Sequence, residues 1–354
     1  MKLYYECQLF NQDVDISQPF EVEQQELVFR KIISAKKRKF SFAPVKVTYK
    51  CNFHKSENFS SIKPTIILPI KDNHELLEYT LENFYDNNII KHCNILIVDD
   101  RSEEDHIRNI SIDHGHSYLR VDNRKGFNFS MLNNIAAKIC YQLKNNTIIM
   151  WNSDLWTKDE SSFLELIKRH NQDGSKISGS KLVYPPVSIS LNKEPDSPNI
   201  KNYFPGLKNG KWRNTVQFGG DSWFYSPSRP IVHSPVHFKR FTAIHNPLVN
   251  CDRGSLFVTG ALHVYDLEFF IGLGGLNPSL SKVFQDTDIC LRAYEKRHCP
   301  MYYGKNLYFY HDESLSTSGK TGKEKEDGQF HSDHYLFGKI WNNKIGKFLG
   351  IGIN

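Results

Sequence analysis

Three acidic groups and one histidine in this 354-residue chain are spaced so that they could do chemistry together. Asp99-Asp100 closes the apolar run Asn94–Val98, and Asn152-Ser153-Asp154 closes the run Thr147–Trp151. Asp286 and Asp288 flank one residue at the head of a helical stretch. His311 follows an aromatic run and precedes Asp312-Glu313-Ser314. Each group has a plain structural alternative. Asp and Asn after a strand cap the next helix. Acids in a first helical turn complement its positive end, and a lone His can be a satisfied structural residue. The chemical reading differs for each. Carboxylates at successive strand ends suit a nucleotide plus a hard divalent cation, with Asp154 the better cation ligand of its group. A positioned Asp286 suits proton removal from a hydroxyl. His311 suits completion of a metal site.

The elements that must position these residues follow from periodicity. Strands are predicted over Thr65–Pro69, Asn94–Val98, Ser117–Val121 and Thr147–Trp151. Helical spacing covers Glu75–Asn87, Asn128–Leu143 and Phe163–Arg169. Strands separated by helices of this length imply right-handed crossovers and a mostly parallel sheet with helices on both faces. Ligands of such sheets bind beyond the carboxyl ends of the strands, where Asp99-Asp100 and Asp154 fall. The pattern breaks down between about Tyr184 and Asn250, a stretch rich in Pro, Ser, Asn, Gly and aromatics. Long irregular stretches in compact domains are commonly functional. Regular structure is expected again at strand Leu256–Thr259, helices Asp266–Ile271 and Asp286–Lys296, and strands Met301–Tyr303 and Asn306–Tyr310. Leu27–Ile33 and Val45–Tyr49 read as strands of a small N-terminal β element. The apolar residues from Phe330 onward fit an amphipathic helix packed on the main domain, with interfacial membrane contact as the alternative.

Composition narrows the class. With 39% apolar and 13% aromatic residues the chain can bury a large core. No run approaches the ~20 apolar residues of a membrane span, and the N-terminus lacks the zones of a signal peptide. The expected location is the cytoplasm, with peripheral contact to the inner face of the membrane as an option; the basic run Lys36-Lys37-Arg38-Lys39 reads first as a solvated surface face, with an electrostatic membrane patch as the alternative. The seven cysteines are scattered and never spaced C-x-x-C, which argues against a disulfide framework and a structural zinc site. A net charge of +6 suits anionic small partners and is too diffuse to point to nucleic acid.

The motifs, taken in order, resemble glycosyltransferase family 2, whose nucleotide-diphospho-sugar transferase fold is called GT-A. Leu68-Pro69-Ile70-Lys71-Asp72 and Ile97-Val98-Asp99-Asp100-Arg101-Ser102 resemble its opening strand and nucleotide-binding turn. Gly126-Phe127-Asn128-Phe129-Ser130 with Asn133-Asn134 resembles the helix under the donor, and Asn152-Ser153-Asp154 sits at its D-x-D-like motif. Val258-Thr259-Gly260-Ala261, Gly274-Gly275-Leu276, Phe284-Gln285-Asp286-Thr287-Asp288-Ile289-Cys290-Leu291-Arg292 and His311-Asp312-Glu313-Ser314 resemble its rhamnosyltransferase-like branch. The resemblance spans about Lys63 to Gly319 and divides the chain into an extension (1–62), a GT-A domain (63–329, with an acceptor-side insertion at 184–250) and a C-terminal helix or tail (330–354).

The resemblance implies an inverting transferase that moves a sugar from a UDP-, dTDP- or GDP-linked donor to a saccharide or glycolipid hydroxyl, in bacterial surface polymer synthesis. Asp286 is then the base. Pro69, Asp72, Asp99, Asp100, Lys125, Gly126, Asn133, Asn152, Ser153, Gly260 and Ala261 contact the donor. Gln285 and Asp288 meet the acceptor, and Asp154 with His311 holds Mn or Mg. Two positions depart from the family pattern: Gln285 replaces a Glu, and Asn152 replaces the first acid of D-x-D. Two rivals are a non-catalytic scaffold of the same fold and a sugar nucleotidyltransferase. The second would need a Gly-rich first turn, where this chain has Pro69-Ile70-Lys71-Asp72. An NAD enzyme is disfavoured because no G-x-G-x-x-G follows the first strand.

Overall fold

A computed structural model describes residues 7–34, 37–122, 126–186, 212–313 and 326–350. In chain order the first strands are β1 (Phe20–Ser34) and β2 (Lys37–His54). Strands and helices then alternate: β3 (Thr65–Ile70), α1 (His74–Asp86), α2 (Ile89–His92), β4 (Asn94–Asp99), α3 (His106–Asp113), β5 (Ser117–Asp122), α4 (Phe129–Gln142) and β6 (Thr147–Trp151). Next come β7 (Leu155–Thr157), α5 (Glu160–Gln172), β8 (Ile177–Ser180), β9 (Leu182–Val183), β10 (Val216–Phe218), β11 (Asp221–Tyr225) and β12 (His233–His237). The last are β13 (Asp252–Gly254), β14 (Leu262–Asp266), α6 (Leu267–Gly272), α7 (Gln285–Glu295), β15 (Met301–Tyr303), β16 (Phe309–His311) and α8 (Glu326–Phe348).

The fold is mixed α/β. A ten-stranded sheet runs in the order β1-β2-β5-β4-β3-β6-β14-β8-β15-β13, with helices packed around it. Its centre, β5-β4-β3-β6, is parallel. Every residue of β3 and β4 is buried, which is why both read as unbroken apolar runs rather than alternating ones. The flanks turn antiparallel: β2 pairs with β5 on one side, and β14 pairs with β6 and β8 on the other. A second sheet, β10-β9-β16-β7, stands beside the first, and β11 and β12 form a separate hairpin. Asn73, Asn128, Asp159 and Asp266 each cap the helix that follows by accepting an amide hydrogen from its first turn.

Three expectations change in detail. β3 runs one residue past Pro69, to Ile70. Residues 256–259 are not a strand: Phe257 and Val258 are buried in the core, and the chain turns at Gly260 before β14 starts at Leu262. The irregular stretch holds β10, β11 and β12 in its described part, 212–250, and the residues at 187–211 lie outside the described ones.

Two apolar clusters hold the molecule together. The larger fills the sheet and its helices. The smaller joins Leu27 and Phe42 of the N-terminal hairpin, Ile231, Leu280 and Leu291 to Leu336, Phe337, Trp341 and Ile345 of α8. The α8 residues recur at helical spacing, so one face of that helix is a core face. All seven cysteines are free. Among the described residues no helix is long and apolar enough to cross a membrane.

Candidate active site

The parallel register sets the first part of the site. Ile70 at the end of β3 lies opposite Asp99 at the end of β4, and Asp100 N–H donates to the Ile70 carbonyl at 2.9 Å. The two loops beyond are tied together. Asp72 N–H donates to Ser102 Oγ at 2.9 Å, and Glu103 N–H donates to Asp72 Oδ1 at 2.7 Å. Asp72 itself takes a left-handed backbone, φ 51°. Pro69 is buried within β3, opposite Val98.

The neighbours Asp99 and Asp100 are held in opposite ways. Asp99 accepts from Ser102 N–H (2.8 Å) and Oγ–H (2.6 Å) on one oxygen. Its other oxygen accepts from Tyr118 OH (2.6 Å) and Arg120 (3.3 Å). Its oxygens are engaged in fastening the turn, so the expected donor contact from Asp99 gives way to a supporting one. Asp100 is 1% exposed, and among the described residues neither carboxylate oxygen has a hydrogen-bond partner, Arg101 Nε standing off at 3.8 Å. Burial pushes its carboxyl up to about 6, against the pull of Arg101 and Lys71. A buried, unsatisfied carboxylate is costly and waits for a donor group.

The metal candidates meet through a strand pair. β16 runs antiparallel to β7 with His311 opposite Leu155. That register brings His311 beside the turn that precedes β7, where Asp312 N–H donates to the Asp154 carbonyl at 3.0 Å. His311 Nε2 lies 3.2 Å from Asp154 Oδ1, and both side chains are buried. Burial favours a neutral ring, but the Asp154 carboxylate outweighs it and raises the imidazole above its ordinary pKa. Among the described residues Nδ1 of His311 has no hydrogen-bond partner. The Asn-Ser-Asp turn is fixed from behind, because Thr80 Oγ donates to the Ser153 carbonyl at 2.7 Å.

Asp286 joins this turn through Gly260 and Ala261. Asn152 N–H donates to the Ala261 carbonyl at 3.0 Å, and Gly260 N–H donates to Asp286 Oδ2 at 2.8 Å. A Cβ on Gly260 would lie 3.1 Å from that of Asp286, so a glycine lets strand turn and helix start approach closely. Asp286 Oδ1 accepts from Thr287 N–H at 2.7 Å, and its side chain is partly exposed.

The two residues expected at the acceptor are placed otherwise. Asp288 is fully buried; one oxygen takes Arg292 at 2.9 Å and the other takes Trp341 Nε1–H at 2.9 Å. It is an anchor of α7, which corrects its expected acceptor role. Gln285 is 7% exposed and reaches the Lys282 carbonyl at 3.3 Å, leaving its Oε1 buried and without a partner. On the donor side, Gly126 is buried with φ 112°, and Asn133 lies buried in α4 with Nδ2 on the Phe129 carbonyl at 2.9 Å. Lys125 lies outside the described residues.

Several members are not among the expected site residues. Arg240 contacts Glu313 and Tyr184 OH, and Tyr184 OH also donates to Glu313 at 3.0 Å. Arg213 reaches Asp312 at 3.5 Å. Two arginines of the irregular stretch therefore brace the acids that follow His311. Asn134 grips the Gly274-Gly275-Leu276 turn from α4, accepting from Leu276 N–H at 2.9 Å and donating to its carbonyl at 2.8 Å. Gly275, at φ 67°, has no room for a Cβ, which would fall 2.6 Å from Asn134 Oδ1. The signal for Asn134 was its place in the Asn133-Asn134 pair; the arginines sit in a stretch without periodicity.

Among the described residues no group of three or more His, Cys, Asp or Glu side chains is placed to hold a metal ion. Asp154 and His311 fit as a two-residue set, with a buried carboxylate and an imidazole in contact. An ion bound there would need further oxygens from phosphate or water.

No family model and no curated protein matches the chain. Among solved structures it is similar to GalNAc-T7, crystallised with UDP, GalNAc and Mn2+, at 12% identity and a TM-score of 0.49. That likeness covers 71% of this chain and 43% of the other, so the chain spans less than half of that protein's length. It is also similar to residues 1-349 of TarS from S. aureus, at 12% identity and a TM-score of 0.43, covering 82% of this chain and 76% of that one.

Proposed function

We propose that this protein is a GT-A glycosyltransferase of the inverting type, which moves a sugar from a nucleotide diphosphate to an acceptor hydroxyl. The observation that carries the reading is one chain of contacts. Asp286 is bonded to Gly260, Ala261 to Asn152, and Asp154 two residues on to His311. Groups from four distant parts of the sequence converge beyond the ends of the central strands, where α/β sheets take their ligands. The ordered motifs from Lys63 to Gly319 supply the substrate class.

In this reading Asp100 receives the nucleoside, because its buried oxygens accept no hydrogen bond from the described residues. Asp286 takes the proton from the acceptor hydroxyl, a step worth about 10²–10⁴ in rate. Gly260 N–H orients the Asp286 carboxylate. Mn or Mg held by Asp154 and His311 would supply charge neutralisation for the diphosphate leaving group. The acceptor is a saccharide or glycolipid of bacterial surface polymer synthesis, which rests on the family branch alone. A panel of UDP-, dTDP- and GDP-sugars, read by nucleoside diphosphate release with Mn, tests the reaction class. NMR of the product's anomeric signal tests inversion. Retention of configuration would sink the Asp286 assignment, and the absence of release or binding with every donor would favour a non-catalytic scaffold.

A further inference from the structure

We propose that α8 is a positioning device for Asp286, with Asp333 as its principal positioning residue; this rests on Asp286 being the base. Helices α1, α4, α5 and α6 start on their own Asn or Asp caps. Helix α7, which carries Asp286, does not. It starts on Phe284, which has no side-chain cap bond and a left-handed backbone at φ 67°. For a bulky residue that conformation costs about 1–3 kcal/mol and persists only where the surroundings hold it.

The holding groups come from α8. The Asp333 carboxylate is 1% exposed and accepts from Lys282 N–H at 2.8 Å and Val283 N–H at 3.1 Å, the two amides just before Phe284. The Phe284 ring stacks on Phe337 at 4.7 Å and meets His334 edge-on at 4.6 Å. One step further, Trp341 Nε1–H donates to Asp288 at 2.9 Å. At the far end Lys344 meets Glu295 at 2.7 Å. Phe284 and Asp288, two residues either side of Asp286, are thus both gripped by α8. Asp286 itself only has to reach Gly260. Helix α8 supplies from a distance what a local cap supplies elsewhere, and it sets the direction in which the Asp286 carboxylate points.

The test compares Asp333→Ala, Asp333→Asn, Trp341→Phe and Asp286→Asn. Amide hydrogen exchange of the free protein is measured alongside kinetics with whichever of the UDP-, dTDP- and GDP-sugars is turned over. Asp333→Ala should speed exchange at residues 282–288 at least about tenfold and leave β3, β4 and β6 protected. It should lower kcat about 30- to 100-fold with donor KM nearly unchanged, the scale expected when a catalytic group is misplaced by about 1 Å. Asp333→Asn keeps an acceptor oxygen and should restore most of kcat. If Asp333→Ala fails to fold, Trp341→Phe decides, with an expected loss in kcat of about three- to tenfold and faster exchange at residues 284–288. Unchanged exchange and kcat in the folded variants overturn the proposal. An inactive Asp286→Asn beside a fully active Asp333→Ala overturns the positioning role alone. An active Asp286→Asn overturns the base assignment and this role with it.

Discussion

The turn after β4 and the first turn of α7 each carry two acids, and the acids within each pair are held differently. Asp99 and Asp288 are buried with both oxygens bonded to protein donors. Asp100 is buried with both oxygens unbonded among the described residues, and Asp286, though bonded to Gly260 N–H and Thr287 N–H, is partly exposed. In both places one carboxylate fastens the turn, and the proposed function gives the other to a ligand. Sequence proximity therefore says little about role; within α7 the two acids differ in burial and in the reach of their partners, Asp288 being fully buried and tied to Arg292 and Trp341, Asp286 partly exposed and bonded to Gly260 and its neighbour Thr287.

The comparison breaks most sharply if the wrong member of a pair controls activity. Asp286→Asn should cut transfer by about 10²–10⁴ with little change in melting temperature, read by donor turnover and calorimetry on the same sample. Asp288→Asn should do the reverse. It leaves Arg292 buried without its counter-charge, which costs about 3–5 kcal/mol, so urea unfolding should show a large fall in midpoint.

The donor-side pair gives a pH test. The Asp100 carboxyl is raised to about 6 in the folded protein, above its unfolded value. Stability from this group is full below about pH 4 and is lost as pH rises through about 6. Asp100→Asn should therefore raise stability at pH 7.5 by roughly 1–3 kcal/mol relative to its effect at pH 4, while weakening nucleotide binding in a thermal-shift assay. Asp99→Asn should instead lower stability, because its carboxylate is bonded to four donors. A gain in stability at pH 7.5 in both variants would remove the distinction between them.

The smallest effect concerns the brace behind His311. Arg240→Met removes the contacts to Glu313 and Tyr184 and should cost about 1–2 kcal/mol. Amide exchange at Asp312 and Glu313 should rise while the central strands stay protected.

These contrasts mark where sequence was informative. β3 and β4 were legible because strands buried on both faces are written as unbroken apolar runs, and their ends located Asp99-Asp100. Asp154 and His311 lie 157 positions apart and meet only through the β7–β16 register. Periodicity says nothing about such a pairing; the motif order was what suggested it. In sequence, an acid in a first helical turn looks the same whether it faces a ligand or, as Asp288 does, a distant tryptophan. Arg213 and Arg240 were invisible for a related reason. Their partners lie across the fold, and the stretch that carries them has no repeating pattern.

The second apolar cluster has a consequence for the order of events on the ribosome. Its α8 members are made about fifty residues after α7, and Leu27 and Phe42 long before. At ~5–20 residues per second, α7 waits some seconds for the helix that covers it. Until then Leu280, Leu291 and the early hairpin expose the apolar faces that Trp341 and its neighbours later fill. A chain truncated before α8 should therefore expose that apolar surface.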